Sequence, residues 1–307
     1  MPPLNKAADL FNVNGLVAVV TGGGSGLGLY AARALDANGA KAVYIVGRRE
    51  ANLQEAAKTA VNGTIIPLVG DVTDKASLAS LAEHVRKEQG FINLLFANAG
   101  VMGPEHVKLL KKDDGSKPSV AEFQRAVFEP PIDAFTAPAH LNSSAVFYTA
   151  VAFLHLLDAG NKQRNLPQDS QILVTSSIAG FSRQLANSFA YSSSKAATTH
   201  LVKMLSTYFS QAGFRIRANV IAPGLYPSEM TEQTTAGLGR FEGVEGHAGA
   251  FAGAHVVPAQ NSPALRTGSE EDFAGTVLYM VSRAGAFLNG EALVTDGGRL
   301  SQLPAVY

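Results

Sequence analysis

Tyr191 and Lys195 stand four residues apart in the stretch YSSSK, inside a helical pattern that follows a short loop. Side chains at positions i and i+4 share one face of a helix, so the Lys195 ammonium would lie beside the Tyr191 ring. A nearby cation favours the phenolate and would lower the phenol pKa, which suits a proton donor working near neutral pH. An isolated Tyr-x-x-x-Lys is more often a core tyrosine with a lysine that reaches past it to solvent. The surrounding motifs therefore decide between chemistry and packing.

A glycine-rich stretch near the N-terminus has the composition of a phosphate-binding turn. Residues 21–28 read TGGGSGLG and lie between the apolar run LVAVV and the helical sequence LYAARALDANG. Glycines let the backbone approach a pyrophosphate, and the start of a helix supplies free N–H groups and a positive partial charge. An ordinary flexible turn is the alternative, and the flanking strand and helix count against it. The candidate cofactor-binding residues here are Gly22, Gly24, Ser25, Gly26, Leu27 and Gly28.

The end of the second apolar run indicates which dinucleotide is preferred. A dinucleotide fold that prefers NAD presents a carboxylate to the adenosine ribose at this point, whereas this chain has Arg48 and Arg49. A guanidinium pairs with a 2′-phosphate through forked hydrogen bonds, so Arg48 favours NADP(H), with Arg49 as a helper. A solvated arginine at the start of a helix is the alternative.

Asp71 and Val72 follow the third apolar run. The Asp71 carboxylate is placed to accept a hydrogen bond from the adenine amino group. It could equally cap the helix that starts near Asp74. The sequence leaves these two interpretations open.

Seven short apolar runs would position these groups. Nearly continuous apolar runs are typical of strands that are covered on both faces, and segments of helical length at 27–38, 74–89, 145–157 and 194–211 alternate with them. The alternation predicts an α/β fold, a Rossmann-like doubly wound parallel sheet with right-handed crossovers and helices on both faces. The predicted strands are 16–20, 42–46, 64–69, 93–97, 171–175, 216–222 and 291–295.

Two long segments interrupt this alternation. Residues 103–140, here called the insertion, are charged and proline-rich and are expected to contain one or two helices. Residues 225–265, here called the lid segment, are rich in Gly and Ala and are expected to close over the substrate. Without a repeat or a dividing linker, residues 1–307 are expected to form a single domain.

Composition narrows the class of partner. The 25 basic and 25 acidic residues cancel without a basic run, which argues against nucleic acid and anionic membranes. With no cysteine, disulfides and thiol nucleophiles are excluded. No stretch reads as long enough to span a bilayer, so a cytoplasmic protein is expected. His247 and His255 lack a carboxylate cluster with ligand spacing, so no metal site is expected, and a small molecule remains the expected partner.

Several short motifs follow one another along the chain: TGGGSGLG, Asp71-Val72, ANAG at 97–100, Asn142, Ser176-Ser177, YSSSK and Pro223-Gly224. Taken in order, these motifs resemble the short-chain dehydrogenase/reductase family along nearly the whole chain. The resemblance implies a single Rossmann-like domain, an NAD(P)(H) cofactor, hydride transfer between a carbonyl compound and an alcohol, and a homodimer or homotetramer. The sequences IAPGLYPSEMT and LVTDGG are similar to the gluconate-dehydrogenase or 3-oxoacyl-reductase-like branch, as met in fungi.

The resemblance also implies roles for individual residues. Tyr191 would give its proton to the carbonyl oxygen, and Lys195 would lie beside the nicotinamide ribose. Ser177 would stabilise the developing negative charge, with Ser176 as the runner-up. The backbone carbonyl of Asn142 would hold a water next to the lysine. The predicted catalytic residues are therefore Asn142, Ser177, Tyr191 and Lys195.

Further cofactor contacts follow from the same resemblance. Asn98 would lie beside the adenosine ribose, although the preceding Ala97 departs from the commonest asparagine. Thr231 would reach the carboxamide or the pyrophosphate, or Ser228 would take that role. Several aromatic residues are expected near the substrate cleft: Phe181, Phe189, Tyr226, Phe241 and Phe251. The remaining cofactor contacts are Ala99, Gly100, Pro223 and Gly224.

These features predict an NADPH-dependent ketoreductase, or the reverse secondary-alcohol dehydrogenase, acting on a medium or bulky carbonyl compound, with secondary metabolism as a context. A cofactor-binding sensor or scaffold whose partner docks on the insertion is the first alternative. A non-redox cyclase, isomerase or dehydratase on the same fold is the second. Assembly is expected through the helices at 145–157 and 194–211.

Overall fold

A seven-stranded parallel sheet forms the centre of the protein, and the computed structural model describes residues 5–112, 115–185 and 188–306. Its strand order is β3-β2-β1-β4-β5-β6-β9, so the order reverses between β1 and β4. The predicted doubly wound fold is confirmed, with each predicted strand within two residues of its place. The strands are β1 Val17–Thr21, β2 Ala42–Gly47, β3 Ile65–Val69, β4 Leu94–Ala97, β5 Gln171–Thr175, β6 Arg217–Pro223 and β9 Ala292–Thr295, with a separate hairpin of β7 Gly243–Val244 and β8 His247–Ala248.

Helices cover both faces of the sheet. The first part of the chain contains α1 Ala7–Leu10, α2 Gly26–Ala37, α3 Glu50–Ala57, α4 Lys75–Gln89, α5 His106–Leu110, α6 Val120–Phe128 and α7 Ile132–Ala139. A π-helix, His140–Ser144, joins α7 to the next helix. The second part contains α8 Ala145–Gln163, α9 Phe189–Gln211, α10 Glu232–Thr235 and α11 Glu270–Val281.

Two apolar layers hold the helices to the sheet. Side chains of α4, α8 and α9, including Phe153 and Val202, form one layer. Side chains of α2, α3 and α11, including Leu35 and Phe273, form the other. Because β1 and β5 are buried along their whole length, their side chains are apolar on both faces, which explains the continuous apolar runs. Each fully buried Leu or Phe contributes roughly 1.5–3 kcal/mol of transfer free energy.

The insertion departs from the predicted one or two helices. Its described residues contain three, α5, α6 and α7, and α7 continues through the π-helix into α8. The prediction of helix number was wrong. The prolines do not separate helices here, because Pro131 is the N-cap of α7 and Pro138 lies inside it. The lid segment contains a 3₁₀ turn, α10 and the β7–β8 hairpin.

The continuous helical run Ile132–Gln163 bears on the membrane question. It is long and apolar enough to cross a bilayer by length and composition, with a mean hydropathy of 1.2 in its most apolar window. The prediction that no stretch reaches this length is therefore wrong on those two criteria. Core helices meet the same criteria, and 44% of this window is buried, with Phe153 and Leu157 packed on the sheet.

Candidate active site

The predicted chemical groups meet at the C-terminal edge of the sheet. The glycine-rich turn follows β1, Ser177 follows β5, and Tyr191 and Lys195 lie in the first two turns of α9. Asn142 comes from the π-helix. In open α/β sheets, ligands bind at this edge, where the strand order reverses.

Tyr191, Ser177 and Lys195 form one cluster. The Ser177 side chain is hydrogen-bonded to the Tyr191 hydroxyl. The Lys195 Nζ lies 5.7 Å from the centroid of the Tyr191 ring and donates to the backbone carbonyl of Thr175 at 2.8 Å. A serine hydroxyl, a phenol and an ammonium group are thus gathered in the arrangement that proton donation to a carbonyl oxygen needs.

Burial controls the protonation of this cluster. It raises the pKa of Tyr191 above its ordinary value, and the hydrogen bond with Ser177 only partly opposes it. Burial also lowers the pKa of Lys195 to about 8. The spacing of Tyr191 and Lys195 predicts a lowered phenol pKa, and that direction is wrong for the net shift. The pKa of Tyr191 is raised because desolvation of the phenolate outweighs the hydrogen bond with Ser177, and because the Lys195 ammonium is directed to the Thr175 carbonyl.

The two adjacent serines have different surroundings. Ser176 is buried, and its hydroxyl lies 2.9 Å from the Lys195 carbonyl oxygen and 2.7 Å from the Thr199 hydroxyl. Ser177 instead faces Tyr191 and also accepts from the Ala179 N–H at 3.1 Å. The geometry therefore brings Ser177, and not Ser176, to the tyrosine.

The side chain of Asn142 links the loop after β4 to α9. Its Oδ1 accepts from the Val101 N–H at 2.8 Å, and its Nδ2 donates to the Val101 carbonyl and to Ser194 Oγ, each at 2.9 Å. The Thr198 hydroxyl donates to its backbone carbonyl at 2.6 Å. The carbonyl that was expected to hold a water is thus approached by a side chain, and the water relay stays a prediction.

Gly100 lies where the loop after β4 meets this cluster. A Cβ placed on it would lie 3.0 Å from Asn142 Oδ1 and 3.5 Å from Lys195 Nζ. A larger residue would therefore press on both groups. Ala99 beside it donates its N–H to Thr21 Oγ1 at 3.2 Å, which fixes the course of this loop.

The glycine-rich turn has the shape of a phosphate cradle. Gly22 has a left-handed φ of 64°, and Gly26 has one of 51°. A Cβ on Gly28 would overlap the Gly22 carbonyl oxygen and lie 2.6 Å from Asn98 Nδ2. The side chain of Ser25, the N-cap of α2, does not cap the first-turn N–H groups. This turn, with Gly24 and Leu27, therefore fits the pyrophosphate of a dinucleotide.

The two arginines after β2 differ in their partners. Arg49 forms an ion pair with Glu229 at 2.6 Å, and both side chains are more than half exposed. Arg48 is exposed, and its charge helps to lower the pKa of Asp71, after the hydrogen bonds from Thr73. Within the described residues Arg48 forms no ion pair, so its guanidinium is open to a phosphate.

Asp71 does not cap α4. Its carboxylate accepts from the Thr73 N–H at 2.9 Å and from the Thr73 hydroxyl at 2.7 Å. The cap of α4 is Asp74, which accepts from the Ser77 N–H at 2.8 Å. The capping alternative for Asp71 is thus wrong, and the adenine contact stays a prediction for Asp71 and Val72.

Asn98 is used within the fold. Its Nδ2 donates to the carbonyls of Thr21 and Gly22 at 3.2 and 3.3 Å, and its Oδ1 accepts from the Thr175 hydroxyl at 2.9 Å. The side chain therefore links the ends of β1, β4 and β5. The contact of Asn98 with the adenosine ribose stays a prediction.

The residues after β6 lie against the glycine-rich turn. A Cβ on Gly26 would come within 2.9 Å of Ser228 Cβ, so Ser228 is next to the cradle. Thr231 Oγ1 donates to the Tyr226 carbonyl at 2.6 Å and lies 3.0 Å from Ser228 Oγ. The geometry thus favours Ser228 as the hydroxyl nearest the cradle. Pro223 ends β6.

Gly224 follows it at a close approach to the last strand. A Cβ on Gly224 would lie 2.7 Å from the Asp296 Cβ, and its N–H donates to the Thr295 carbonyl at 3.0 Å. The turn expected against the nicotinamide is therefore fixed by the residues that follow β9.

The five aromatic residues divide between core and surface. Tyr226 is buried against Phe273, with ring centroids 5.7 Å apart, and Phe181 is buried in a small core with Leu300. Phe241 and Phe251 lie over the Arg266 guanidinium, 5.9 and 3.7 Å from their centroids. Phe189 alone of the five is more than a third exposed and lies two residues before Tyr191.

Several residues of the site escaped the sequence analysis. The Thr175 carbonyl accepts a hydrogen bond from the Lys195 ammonium, and Ser194 Oγ accepts one from the Asn142 amide. The Thr198 hydroxyl donates to the Asn142 backbone carbonyl. Ser194 lies inside YSSSK, and Thr198 follows Ser194 by one helical turn, so helical spacing from the motif was the available signal. Among the described residues there is no group of three or more potential metal ligands.

Comparison with known proteins agrees with this fold. The family model described as short chain dehydrogenase matches residues 16–239. The short-chain dehydrogenase/reductase PhomF of Diaporthe leptostromiformis is 44% identical over 303 residues, 98% of this chain and 97% of that protein. VdtF of Byssochlamys spectabilis is 38% identical over 322 residues, 98% of each chain. The Pseudomonas aeruginosa RhlG/NADP active-site complex superimposes with a TM-score of 0.74 at 24% identity, covering 95% of this chain and 99% of that one.

Proposed function

This chain belongs to the short-chain dehydrogenase/reductase family of oxidoreductases, and we propose that it is an NADPH-dependent ketoreductase, or the reverse secondary-alcohol dehydrogenase, acting on a medium or bulky carbonyl compound. One observation carries the proposal. The Tyr191 hydroxyl is hydrogen-bonded to Ser177, and the Lys195 ammonium lies 5.7 Å from the tyrosine ring, at the sheet edge that also carries the glycine-rich turn.

Tyr191 serves as the general acid–base. Its raised pKa keeps the phenol protonated at neutral pH, so it has a proton to give to the carbonyl oxygen in reduction. Ser177 donates a hydrogen bond to the same oxygen and stabilises its developing negative charge. When bound, NADPH supplies the hydride that reduces the carbonyl carbon.

Lys195 and Asn142 support Tyr191. With a pKa of about 8, Lys195 carries its charge at neutral pH and favours the phenolate that remains after proton transfer. Asn142 holds Ser194, the residue before Lys195, and thereby fixes this turn of α9. The proton relay from Tyr191 through Lys195 to solvent belongs to this proposal.

The preference for NADPH rests on the end of β2. Gly47-Arg48-Arg49 presents no carboxylate, and the Arg48 guanidinium can form forked hydrogen bonds with a 2′-phosphate. Arg49 is held by Glu229 and acts as the helper. The RhlG structure was solved as an NADP complex, and its fold is the same.

The substrate is an apolar carbonyl compound. Phe189 offers an exposed aromatic ring two residues from Tyr191, and the chain has no cationic cluster that would select a highly anionic substrate. The lid segment closes over the substrate. The fungal relatives at 38–44% identity are consistent with a place in secondary metabolism, and we propose a cytoplasmic enzyme.

Cofactor titration with a substrate panel tests this function. The purified protein is titrated with NADPH and NADH, and cofactor oxidation is then followed with aromatic and aliphatic ketones. We expect tighter binding of NADPH and turnover of at least one bulky apolar ketone. Tight NADPH binding with no oxidation by any ketone, together with conversion of a substrate without net cofactor use, would instead support a non-redox enzyme.

A further inference from the structure

His106 connects the insertion to the helix that carries the catalytic pair. It is the first residue of α5, and only 1% of its surface is exposed. The neighbouring helix α6 of the same insertion has no buried residue. A buried histidine in a largely exposed segment needs a polar partner, because an unsatisfied ring nitrogen in the interior is costly.

The partners of His106 are at the start of α9. Its Nδ1 lies 3.3 Å from the backbone nitrogen of Phe189 and 3.3 Å from the Ser188 hydroxyl. Since the Phe189 N–H can only donate, Nδ1 is an acceptor and carries no proton. The first N–H groups of a helix have no partner within the helix, and His106 supplies one for Phe189.

This contact continues to the backbone of Tyr191. Ser188 is the N-cap of α9, and its Oγ accepts from the Tyr191 N–H at 3.4 Å. Its hydroxyl proton is left to donate to His106 Nδ1. A chain of hydrogen bonds thus runs from the histidine through the capping serine to the tyrosine.

Two aromatic rings fix the orientation of the imidazole. Phe189 of α9 meets it edge-on at 5.5 Å between centroids, and Phe135 of α7 does so at 6.1 Å. The ring is therefore held from both the insertion and the catalytic helix, and its Nδ1 stays directed at the N-terminus of α9.

From these contacts we infer that His106 is a positioning residue for Tyr191: as a neutral imidazole acceptor, it holds the N-terminus of α9 so that the phenol meets Ser177 and the substrate oxygen. The inference rests on the proposed function, because it assigns the insertion a part in the same proton transfer. A displacement of a reacting group by about 1 Å can cost on the order of 100-fold in rate, so the anchor of this helix matters to the chemistry.

The surroundings of His106 keep it neutral. Burial lowers its pKa below the ordinary value of 6.5, and Glu122 of α6 and Asp133 of α7 add nothing to the shift. The facing groups on α9, Ser188 and Phe189, are uncharged. Protonation at acid pH would place an N–H against the Phe189 N–H, so the anchor is lost when the imidazole is protonated.

Two substitutions of His106 separate its acceptor role from packing. His106→Leu removes the acceptor and keeps an apolar side chain, whereas His106→Asn places an amide oxygen close to the position of Nδ1 and cannot titrate. His200→Leu, an exposed histidine on α9, is the matched control. The readouts are hydrogen exchange of the amides from Phe189 to Ser192, thermal unfolding, and kcat for ketone reduction at saturating NADPH.

We expect His106→Leu to speed exchange of these amides by about ten-fold and to lower kcat by about ten-fold, with NADPH affinity unchanged. In His106→Asn, amide exchange and kcat should both stay near the wild-type values. The pH profile of its kcat should lack the fall at acid pH that the wild type shows. Unchanged exchange in folded His106→Leu, or equal effects of Leu and Asn, would overturn the inference. Because exchange needs no substrate, this outcome is separate from a failure of the wild type to reduce any ketone.

Discussion

At the scale of single residues, the site depends on two positive charges, those of Lys195 and Arg48, which differ in burial. Lys195 is 3% exposed, and its ammonium donates to the Thr175 carbonyl. Arg48 is exposed and forms no ion pair within the described residues, whereas Arg49 is paired with Glu229. Burial of the Lys195 charge therefore costs folding free energy, whereas the Arg48 charge is available to a ligand.

Lys195→Met should stabilise the fold at pH 7 while abolishing activity. The pKa of Lys195 is lowered from 10.5 to about 8, so the unfolded state binds the proton more tightly, and the buried charge costs on the order of 3 kcal/mol below pH 8. Stability of the wild type relative to the variant should rise between pH 8 and 10.5. Thermal unfolding at several pH values measures this, with Lys203→Met on the exposed side of α9 as the control. A variant that is less stable at pH 7 would contradict the account.

Arg48→Ala should weaken NADPH binding and leave NADH binding nearly unchanged. A charge-assisted hydrogen-bond pair contributes about 1.5–3 kcal/mol, which corresponds to roughly 10- to 100-fold in affinity. Arg49→Ala is the matched control, and its effect should be smaller because Arg49 is paired with Glu229. Fluorescence titration with both cofactors decides the matter. Equal losses for NADPH and NADH would show that Arg48 does not read the 2′-phosphate.

At the scale of elements, the glycine-rich turn and the start of α2 approach each other too closely for side chains. Gly28 in the first turn of α2 is covered by the Gly22 carbonyl and the Asn98 amide. These groups come from the ends of β1 and β4, so the turn is fixed by the neighbouring strands as well as by its own glycines.

Gly28→Ala should displace the turn and abolish dinucleotide binding. The added methyl group would overlap the Gly22 carbonyl oxygen, and overpacking of this kind typically costs about 1–3 kcal/mol. Gly237→Ala is the control, since its Cβ would meet no atom within 4 Å and its φ is not left-handed. Calorimetric titration with NADPH and thermal unfolding measure both effects. Retained affinity in Gly28→Ala would contradict the predicted cradle.

Local patterns in the sequence predict the elements well and their ends less well. Continuous apolar runs locate the strands because both faces of the sheet are covered. The start of α9 at Phe189, five residues before the expected Ser194, is capped by Ser188 and contacted by His106 from a distant segment. The contact with His106 leaves no local pattern in the sequence.

The candidate site was likewise predictable only in part from local patterns in the sequence. The i, i+4 spacing of Tyr191 and Lys195 places the pair correctly, as the distance of 5.7 Å shows. The direction of the phenol pKa was not predictable, because it depends on burial by elements far along the chain. The side chain of Asn98 is likewise used by three strand ends, which only the assembled sheet brings together.

At the scale of the whole molecule, the helix layer of α8 and α9 presents apolar side chains to solvent. Each of these helices buries one face on the sheet and has large apolar groups on the other. Large apolar side chains exposed on one helix layer are the kind of surface that a protein–protein interface covers. The exposed residues are Phe147, Tyr148 and Val151 of α8 and Met204 and Tyr208 of α9.

We expect a homo-oligomer that assembles through this layer. Val151→Glu combined with Met204→Glu should convert it to a monomer, because two desolvated carboxylates per subunit would have no partner across the interface. Light scattering measures the mass, and Val61→Glu, a 74% exposed residue outside the layer, is the control. A wild type that is already monomeric at working concentration would refute the assembly.

The most direct test of the whole account is the rate of NADPH oxidation by Tyr191→Phe with a ketone that the wild type accepts. The account predicts that the rate falls by at least about 100-fold, the lower range for general acid catalysis, while NADPH affinity and thermal stability are kept. Tyr208→Phe, an exposed tyrosine on the same helix, should retain the wild-type rate. Full activity of Tyr191→Phe would contradict the central claim that Tyr191 supplies the proton.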